Sequence, residues 1–278
     1  MKKSLKIIGI VFLVLMGLGE LSRAIVKPVV ENSFEEQIRR ANRDCPISVA
    51  NGVGQVSGIS LEDGFIVYKL DYKSGHLNID SYKNKPEATR DMFYLAFLCM
   101  NGQGGHSDMM SDELIKREYG LRIIASNGVS SFTSELSPAY IKEMRNRINV
   151  NPTEALHDAL MLKFETENCL FPVRIDEGMI LTGLGLKDNN IIVEVQIDET
   201  LYDLDSFAAI SEEFADNIIT EANNGDPELG AMLDLCKISH TGLTYRLIGN
   251  YSKNHYDMNI SSSLIRQNRN VPPQVNIH

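Results

Sequence analysis

"NRDCPISV" at Asn42 to Val49 and "NCLFPV" at Asn168 to Val173 decide how this chain is read. A cysteine beside a proline is open to three readings: reactive thiol, metal ligand, or half of a disulfide. The recurrence points to architecture instead. Aligning Cys45 with Cys169 places the proline one residue after the cysteine in the first stretch and three after it in the second. Further matches follow in order. "SGISLEDGFIVYKL" (Ser57 to Leu70) pairs with "TGLGLKDNNIIVEV" (Thr182 to Val195), and "NIDSY" (Asn78 to Tyr82) with "DLDSF" (Asp203 to Phe207). "YGLRI" (Tyr119 to Ile123) pairs with "TGLTY" (Thr241 to Tyr245), and "ELSPAYI" (Glu135 to Ile141) with "NISSSLI" (Asn259 to Ile265). The offset stays between about 122 and 126, the signature of an internal repeat.

Each copy predicts the same series of elements. A helix leads. Ser33 with Glu36 reads as a capping box ahead of Phe34, Ile38 and Ala41. In the second copy Asn151 is the expected N-cap with Pro152 at the first helical position, and Leu156, Leu160 and Phe164 form one apolar stripe. A hairpin follows, turning at Asp63-Gly64 or around Asp188-Asn189. Val193, Val195 and Ile197 alternate with Glu194 and Gln196, which predicts a strand with one wet face. A helical insertion in two pieces comes next, and a second hairpin closes the copy, with Asn127-Gly128 as the turn of the first. Ser137-Pro138 starts a helix that links the copies. The expected fold class is α+β: two repeated modules, each a helix plus two β-hairpins with a helical insertion, on antiparallel sheets. The boundaries read as 25–148 for the first module and 149–266 for the second, with a disordered tail at 267–278.

This order of helix, Asn/Cys/Pro joint, hairpin, helical insertion and Gly-led hairpin resembles small bacterial envelope proteins of uncharacterised activity. Those carry a signal or anchor followed by one or two such modules. The likeness covers most of residues 33–265. It carries no activity and no functional residue with it.

The N-terminus fits the same picture. Lys2, Lys3 and Lys6 precede an uncharged apolar run from Ile7 to Gly19, and Ser22 and Ala24 stand at signal-peptidase spacing. The run is short for a spanning helix, which takes about 20 apolar residues. Residues 1–24 are therefore a signal peptide or an N-terminal membrane anchor, and the rest is expected outside the cytoplasm: in the periplasm or cell envelope, with residues 7–19 as the inner-membrane tether if they are retained. The chain holds 27 Lys+Arg and 37 Asp+Glu, net −10. The first 24 residues contain four of those bases and one of the acids, so a chain beginning at Ile25 carries 23 bases and 36 acids. Such an acidic protein is repelled by phosphate backbones, which disfavours nucleic-acid partners, and membrane contact is expected through the N-terminal segment only.

Cys45, Cys99, Cys169 and Cys236 make an even count in an exported chain, so disulfides are the leading reading, with buried thiols as the alternative. The simplest pairing is within each copy, Cys45 with Cys99 and Cys169 with Cys236. The alignment matches Cys236 to Ile115 rather than to Cys99, so two equivalent bridges do not follow.

Candidates for chemistry are weak. Gly102-Gln103-Gly104-Gly105 follows a helix and has no Lys-Ser/Thr after it, so it reads as a helix connection rather than a phosphate loop. His106, Asp108, Asp112 and Glu113 do not complete a metal set. Asp203 and Asp205 are spaced as a carboxylate pair could be, but Asp205 and Ser206 read as residues capping a helix N-terminus. Ser239-His240 is poor geometry for a nucleophile and its base. Tyr245, Tyr251 and Tyr256 suit either a recognition face or the exposed side of a sheet. No catalytic, cofactor or metal residue is assigned. The expected function is a non-enzymatic interaction or structural module of the cell envelope, binding an envelope protein or itself. The alternative is a small hydrolase or ligand-binding protein with a site between the modules.

Overall fold

The computed structural model describes residues 34–49, 54–73, 79–101, 107–168, 171–224 and 226–268. The apolar run at the N-terminus, the capping Ser33, the glycine loop at 102–105 and the tail from residue 269 lie outside them, whereas Gln267 and Asn268, expected in the tail, end a helix. No helix among the described residues is long and apolar enough to cross a membrane. Contacts divide the chain into two compact units, which part between Leu162 and Lys163.

In the first unit, α1 (Phe34–Arg43) leads into β1 (Ile47–Val49), β2 (Gly54–Glu62) and β3 (Phe65–Tyr72). Helices α2 (Ile79–Asn84), α3 (Pro86–Asn101) and α4 (Ser107–Arg117) follow, then β4 (Gly120–Ser126), β5 (Ser131–Leu136) and α5 (Pro138–Val150). The five strands lie in chain order. Neighbours are antiparallel except β3 and β4, which run parallel. The helical insertion is thus the crossover that a parallel pair needs. Alternation decides the faces. Ile66, Tyr68 and Leu70 of β3, Leu121, Ile123 and Ala125 of β4, and Phe132 and Leu136 of β5 are buried, while Lys69 and Asp71 are exposed. Tyr82 of α2 and Phe93 of α3 stack on Phe132, with ring centroids 5.3 and 5.9 Å away.

Asn151 caps α6 (Pro152–Ala155), and α7 (His157–Asn168) carries the chain from the first unit into the second. The second sheet has β6 (Val173–Asp176), β7 (Met179–Lys187), β8 (Asn190–Ile197), β9 (Gly242–Gly249) and β10 (His255–Ile260), again in chain order. Its insertion is a 3₁₀ helix (Leu204–Ile210) with α8 (Ser211–Asn223) and α9 (Pro227–Ser239), and α10 (Ser262–Asn268) closes it. The single parallel pair is β8 with β9. Val193, Val195 and Ile197 are buried and Glu194 and Gln196 are partly wet, as the alternation predicts. Each fully buried aliphatic side chain contributes about 1.5–3 kcal/mol.

The two units repeat local geometry residue by residue. Both first hairpins turn on two residues with positive φ, Asp63-Gly64 and Asp188-Asn189. Both second hairpins start after a left-handed residue, Glu118 or His240, at the end of a helix. There Tyr119 N donates to Leu114 O and Thr241 N to Cys236 O, each at 3.0 Å. Leu114, not Ile115, is therefore the counterpart of Cys236. Gly120 and Gly242 come next, each donating its amide to the first-hairpin turn at 2.9 Å. A Cβ on Gly120 would sit 2.7 Å from Leu136 O, and one on Gly242 would sit 3.0 Å from Ile260 O, so close approach of the neighbouring backbone selects glycine at both.

Two features were not expected. The short edge strands β1 and β6 follow the prolines, too brief for periodicity to reveal. The register of the opening stretches also shifts. Asn42 Oδ1 accepts from Ile59 N at 2.8 Å, and Asn168 Oδ1 accepts from Leu184 N at 2.7 Å. Cys45 N donates to Asn42 O and Phe171 N to Asn168 O. Both prolines follow cis peptide bonds. Asn42 and Pro46 therefore correspond to Asn168 and Pro172, and Cys45 corresponds to Phe171, not to Cys169. Core positions agree, since Ile38 and Phe164 are then equivalent and both are buried.

The asparagine acts where the outer strand fails. β1 pairs with β2 only as far as Val56, and β6 pairs with β7 only as far as Leu181. A bulge follows at Ser57 and at Thr182, just before Gly58 and Gly183. Beyond it the outer edge of the long strand has no partner strand among the described residues, and the asparagine amide supplies hydrogen bonding there. In the second unit it supplies both groups, because Asn168 Nδ2 also donates to Leu184 O at 2.8 Å. At about 1 kcal/mol net per bond, Asn168→Ala should cost about 2 kcal/mol and Asn42→Ala about 1. Urea unfolding of both variants tests this, and an unchanged midpoint for Asn168→Ala would reject the clamp.

Candidate functional site

The cysteines do not form the expected framework. Cys45 and Cys236 are free thiols, so neither Cys45–Cys99 nor Cys169–Cys236 is formed. The side chains of Cys99 and Cys169 lie outside the described residues. Cys236 is buried on α9 with Sγ directed at Gly242 O, 3.9 Å away, and burial pushes its thiol up to about 12. Cys45 Sγ lies 3.6 Å from Ala41 O, and its thiol is raised by burial and by Asp44. Both groups are held as thiols, the unreactive form.

The other sequence candidates separate. His106 is outside the described residues, Asp112 binds Arg145, and Glu113 accepts from Arg117. No group of three metal-ligating side chains occurs among the described residues. Asp203, rather than Asp205 or Ser206, caps the 3₁₀ helix, with Oδ1 accepting from Asp205 N at 3.0 Å. Ser239 is buried and its hydroxyl donates to Leu235 O at 2.7 Å, while His240 faces solvent. Tyr245 is core: it is 1% exposed and meets Phe214 edge-on at 5.2 Å. Tyr256 is half-buried. Tyr251 alone of the three second-hairpin tyrosines is presented, 71% exposed.

Tyr251 belongs to a surface built from three loops at one end of the second sheet. The Glu177-Gly178 turn, the loop from Asp198 to Asp203 and the turn from Asn250 to Asn254 are tied by hydrogen bonds. Asp198 N donates to Gly178 O at 2.8 Å, and Tyr202 Oη to Glu177 O at 3.0 Å. Asn250 N donates to Ile197 O, and Asn250 Oδ1 accepts from Glu199 N. The Glu199 carboxylate sits in the β9–β10 turn, accepting from Tyr251 N at 2.7 Å and Ser252 N at 2.8 Å. Gly249 is required beneath it, because a Cβ there would meet the carboxylate at 2.5 Å. Two large apolar side chains stand on this frame in water, Leu201 at 54% and Tyr251 at 71% exposure. In the first unit Val129 takes the same place at its hairpin tip, 83% exposed.

A polar cluster occupies the first unit. Tyr140 Oη on α5 donates to Asp91 on α3, and the Arg90 guanidinium lies over the Tyr140 ring, 5.1 Å from its centre. Burial raises Asp91 above the usual carboxylate range, against the opposing pull of Tyr140, Arg147 and Arg90. Burial and the Asp91 contact push the Tyr140 phenol up as well. Arg90 Nε is buried without a hydrogen-bond partner. An open cleft of about 450 Å³ lies nearby, lined by Lys85, Glu87, Asp158, Met161 and Leu162 among others. The second copy does without this cluster, since Leu264 stands where the repeat places Tyr140.

No protein-family model matches the chain, and neither a curated protein nor a solved structure is significantly similar to it.

The turn donors lower the carboxylates of the loop frame. Hydrogen bonds from Ser252 and Tyr251 lower Glu199, and those from Thr200 lower Asp198. A carboxyl group lowered in the folded state stabilises above its unfolded value and loses that contribution as pH falls through the folded one. Glu199→Ala should therefore be less stable than wild type at neutral pH, with the gap closing as pH falls below the ordinary glutamate range. Denaturation midpoints across pH check this, and a gap that stays constant into acid would contradict it.

Proposed function

We propose that the chain is an exported or membrane-anchored protein of the cell envelope whose modules bind a partner protein or a second copy, without catalysis of their own. The observation that carries the reading is the exposure of Leu201 and Tyr251 on loops fixed by the Glu199 carboxylate. Large apolar side chains held in water cost hydration, and holding them on immobilised loops lowers the entropy lost on association. Val129 repeats the presentation in the first unit. The basic start, the apolar run at Ile7 to Gly19 and the resemblance to envelope proteins support the compartment.

A second reading, a ligand-binding protein or small hydrolase, is favoured by one observation. Buried Asp91, half-buried Tyr140 and Arg90, and exposed Arg147 form a polar set near an open cleft, and the duplicated fold manages without it.

The two readings separate in cells of the source organism. A photo-crosslinking amino acid placed at Tyr251 and at Val129 should give discrete adducts, whereas the same group at Thr133 on the wet sheet face should not. Tyr140→Phe should leave those adducts intact. Absence of adducts at both tips, or equal labelling at Thr133, would remove the interaction reading.

A further inference from the structure

The three-loop surface of the second unit also indicates what kind of partner it takes. The apolar pair defines where contact is made. Leu201 and Tyr251 come from different loops, 50 positions apart in the chain, and are brought to one surface by the ties from Gly178 to Asp198 and from Glu199 to Tyr251. The frame needs no folding step on binding, because the amides of Asp198, Glu199, Thr200, Leu201, Tyr251 and Ser252 already donate within it.

Charge then selects the occupant. These loops, with the end of β6 and the start of the 3₁₀ helix beside them, carry the carboxylates of Asp176, Glu177, Asp198, Glu199, Asp203 and Asp205 against two cations, Arg174 and Lys253. Arg174 turns its guanidinium to Asp176 O, and Lys253 Nζ donates to Asn250 O at 2.7 Å. Asp198 and Glu199 serve the frame and stay ionised there. Glu177, Asp203 and Asp205 face solvent. The chain as a whole adds a field of the same sign, net −10.

We propose that this surface docks a cationic, apolar segment of a partner protein, with an aliphatic or aromatic side chain on Leu201 and Tyr251 and Lys or Arg side chains against Glu177, Asp203 and Asp205. The proposal rests on the reading of the surface as an interaction site. A second copy of this chain fits poorly at the same face, because two such acidic surfaces repel.

The physics assigns different roles to the two groups. Desolvated apolar contact sets the dissociation rate, while rim charges act through steering and salt dependence. The test uses the purified full chain and a fluorescein-labelled peptide of alternating lysine and leucine, followed by anisotropy at low and moderate salt. Comparison peptides replace lysine with glutamate, or leucine with serine. The lysine–leucine peptide should bind at least about tenfold more tightly than either comparison peptide, a difference of about 1.4 kcal/mol. Leu201→Ser with Tyr251→Ser should weaken it about tenfold through faster dissociation, with the salt slope kept. Glu177→Lys with Asp205→Lys should flatten the salt slope, whereas Glu143→Lys with Glu213→Lys, exposed acids elsewhere, should not. Equal binding of the glutamate peptide overturns the proposal. So does an equal effect of both charge reversals, which would mark net charge alone. If Tyr251 crosslinks in cells while the peptides are not discriminated, the partner chemistry is wrong and the interaction reading stands. If Tyr251 does not crosslink either, both fall.

Discussion

Each module depends on how its leading helix is tied to the bulged strand beside it. β-sheet edges are hazards, because unpaired amides and carbonyls invite another strand. Here the edge strand is only three or four residues long, and the long strand would be bare beyond it. One asparagine at the end of the helix supplies the hydrogen bonding that another peptide unit would have made. That contact sets where the helix stops, where the bulge falls and which residues of the strand face inward. A slip of one residue would turn the whole apolar set of β2 or β7 toward water. The clamp therefore governs the core through register more than through its own modest energy.

The duplication makes the division between scaffold and specialisation visible within a single chain. Positions that satisfy the backbone recur: the asparagine, the positive-φ turn pair, the left-handed residue after the insertion, and the glycine that opens the parallel strand. Side chains that satisfy nothing in the scaffold differ. Tyr140 binds Asp91 in the first unit, where the second has Leu264. Ala41 is core in the first, while the equivalent Glu167 is buried beside Lys163 in the second. The second hairpin turn spans Asn127 to Ser130 in the first unit and Asn250 to Asn254 in the second, long enough there to wrap a carboxylate. The features with a claim to function lie among these differences.

The loop surface was only partly readable in advance. Tyr251 stood out as a hairpin tyrosine, but Tyr245 and Tyr256 carried the same signal, and Tyr245 proved to be core. The alternation of β9 does separate the two kinds, since Tyr245 shares a face with Leu243 and Leu247 while Tyr251 lies past the strand end. Leu201 gave no signal: a lone leucine in a polar loop is usually a core anchor, and only burial distinguishes the cases. Glu199 was invisible for a different reason. Its partners are backbone amides about 50 residues away, and amides leave no mark in composition or spacing.

The sequence by itself determined that the chain is duplicated, that each copy is an α+β module, where the tight turns fall and which strand faces are wet. These are local properties, written in turn chemistry and in periods of 2 and 3.6 residues. Tertiary structure alone decided the pairing between hairpins, because strands that meet across a crossover share no local signal, and it made β3–β4 and β8–β9 parallel. It also decided which residue marks the repeat. By spelling, Cys45 and Cys169 were the matching letters. In space the match runs through Asn42 and Asn168, each four residues before its proline, because only the asparagine amide can complete the ladder at the bulge. The cysteine that first drew attention stands opposite a phenylalanine in the other copy, and its chemistry is that of a partly buried thiol.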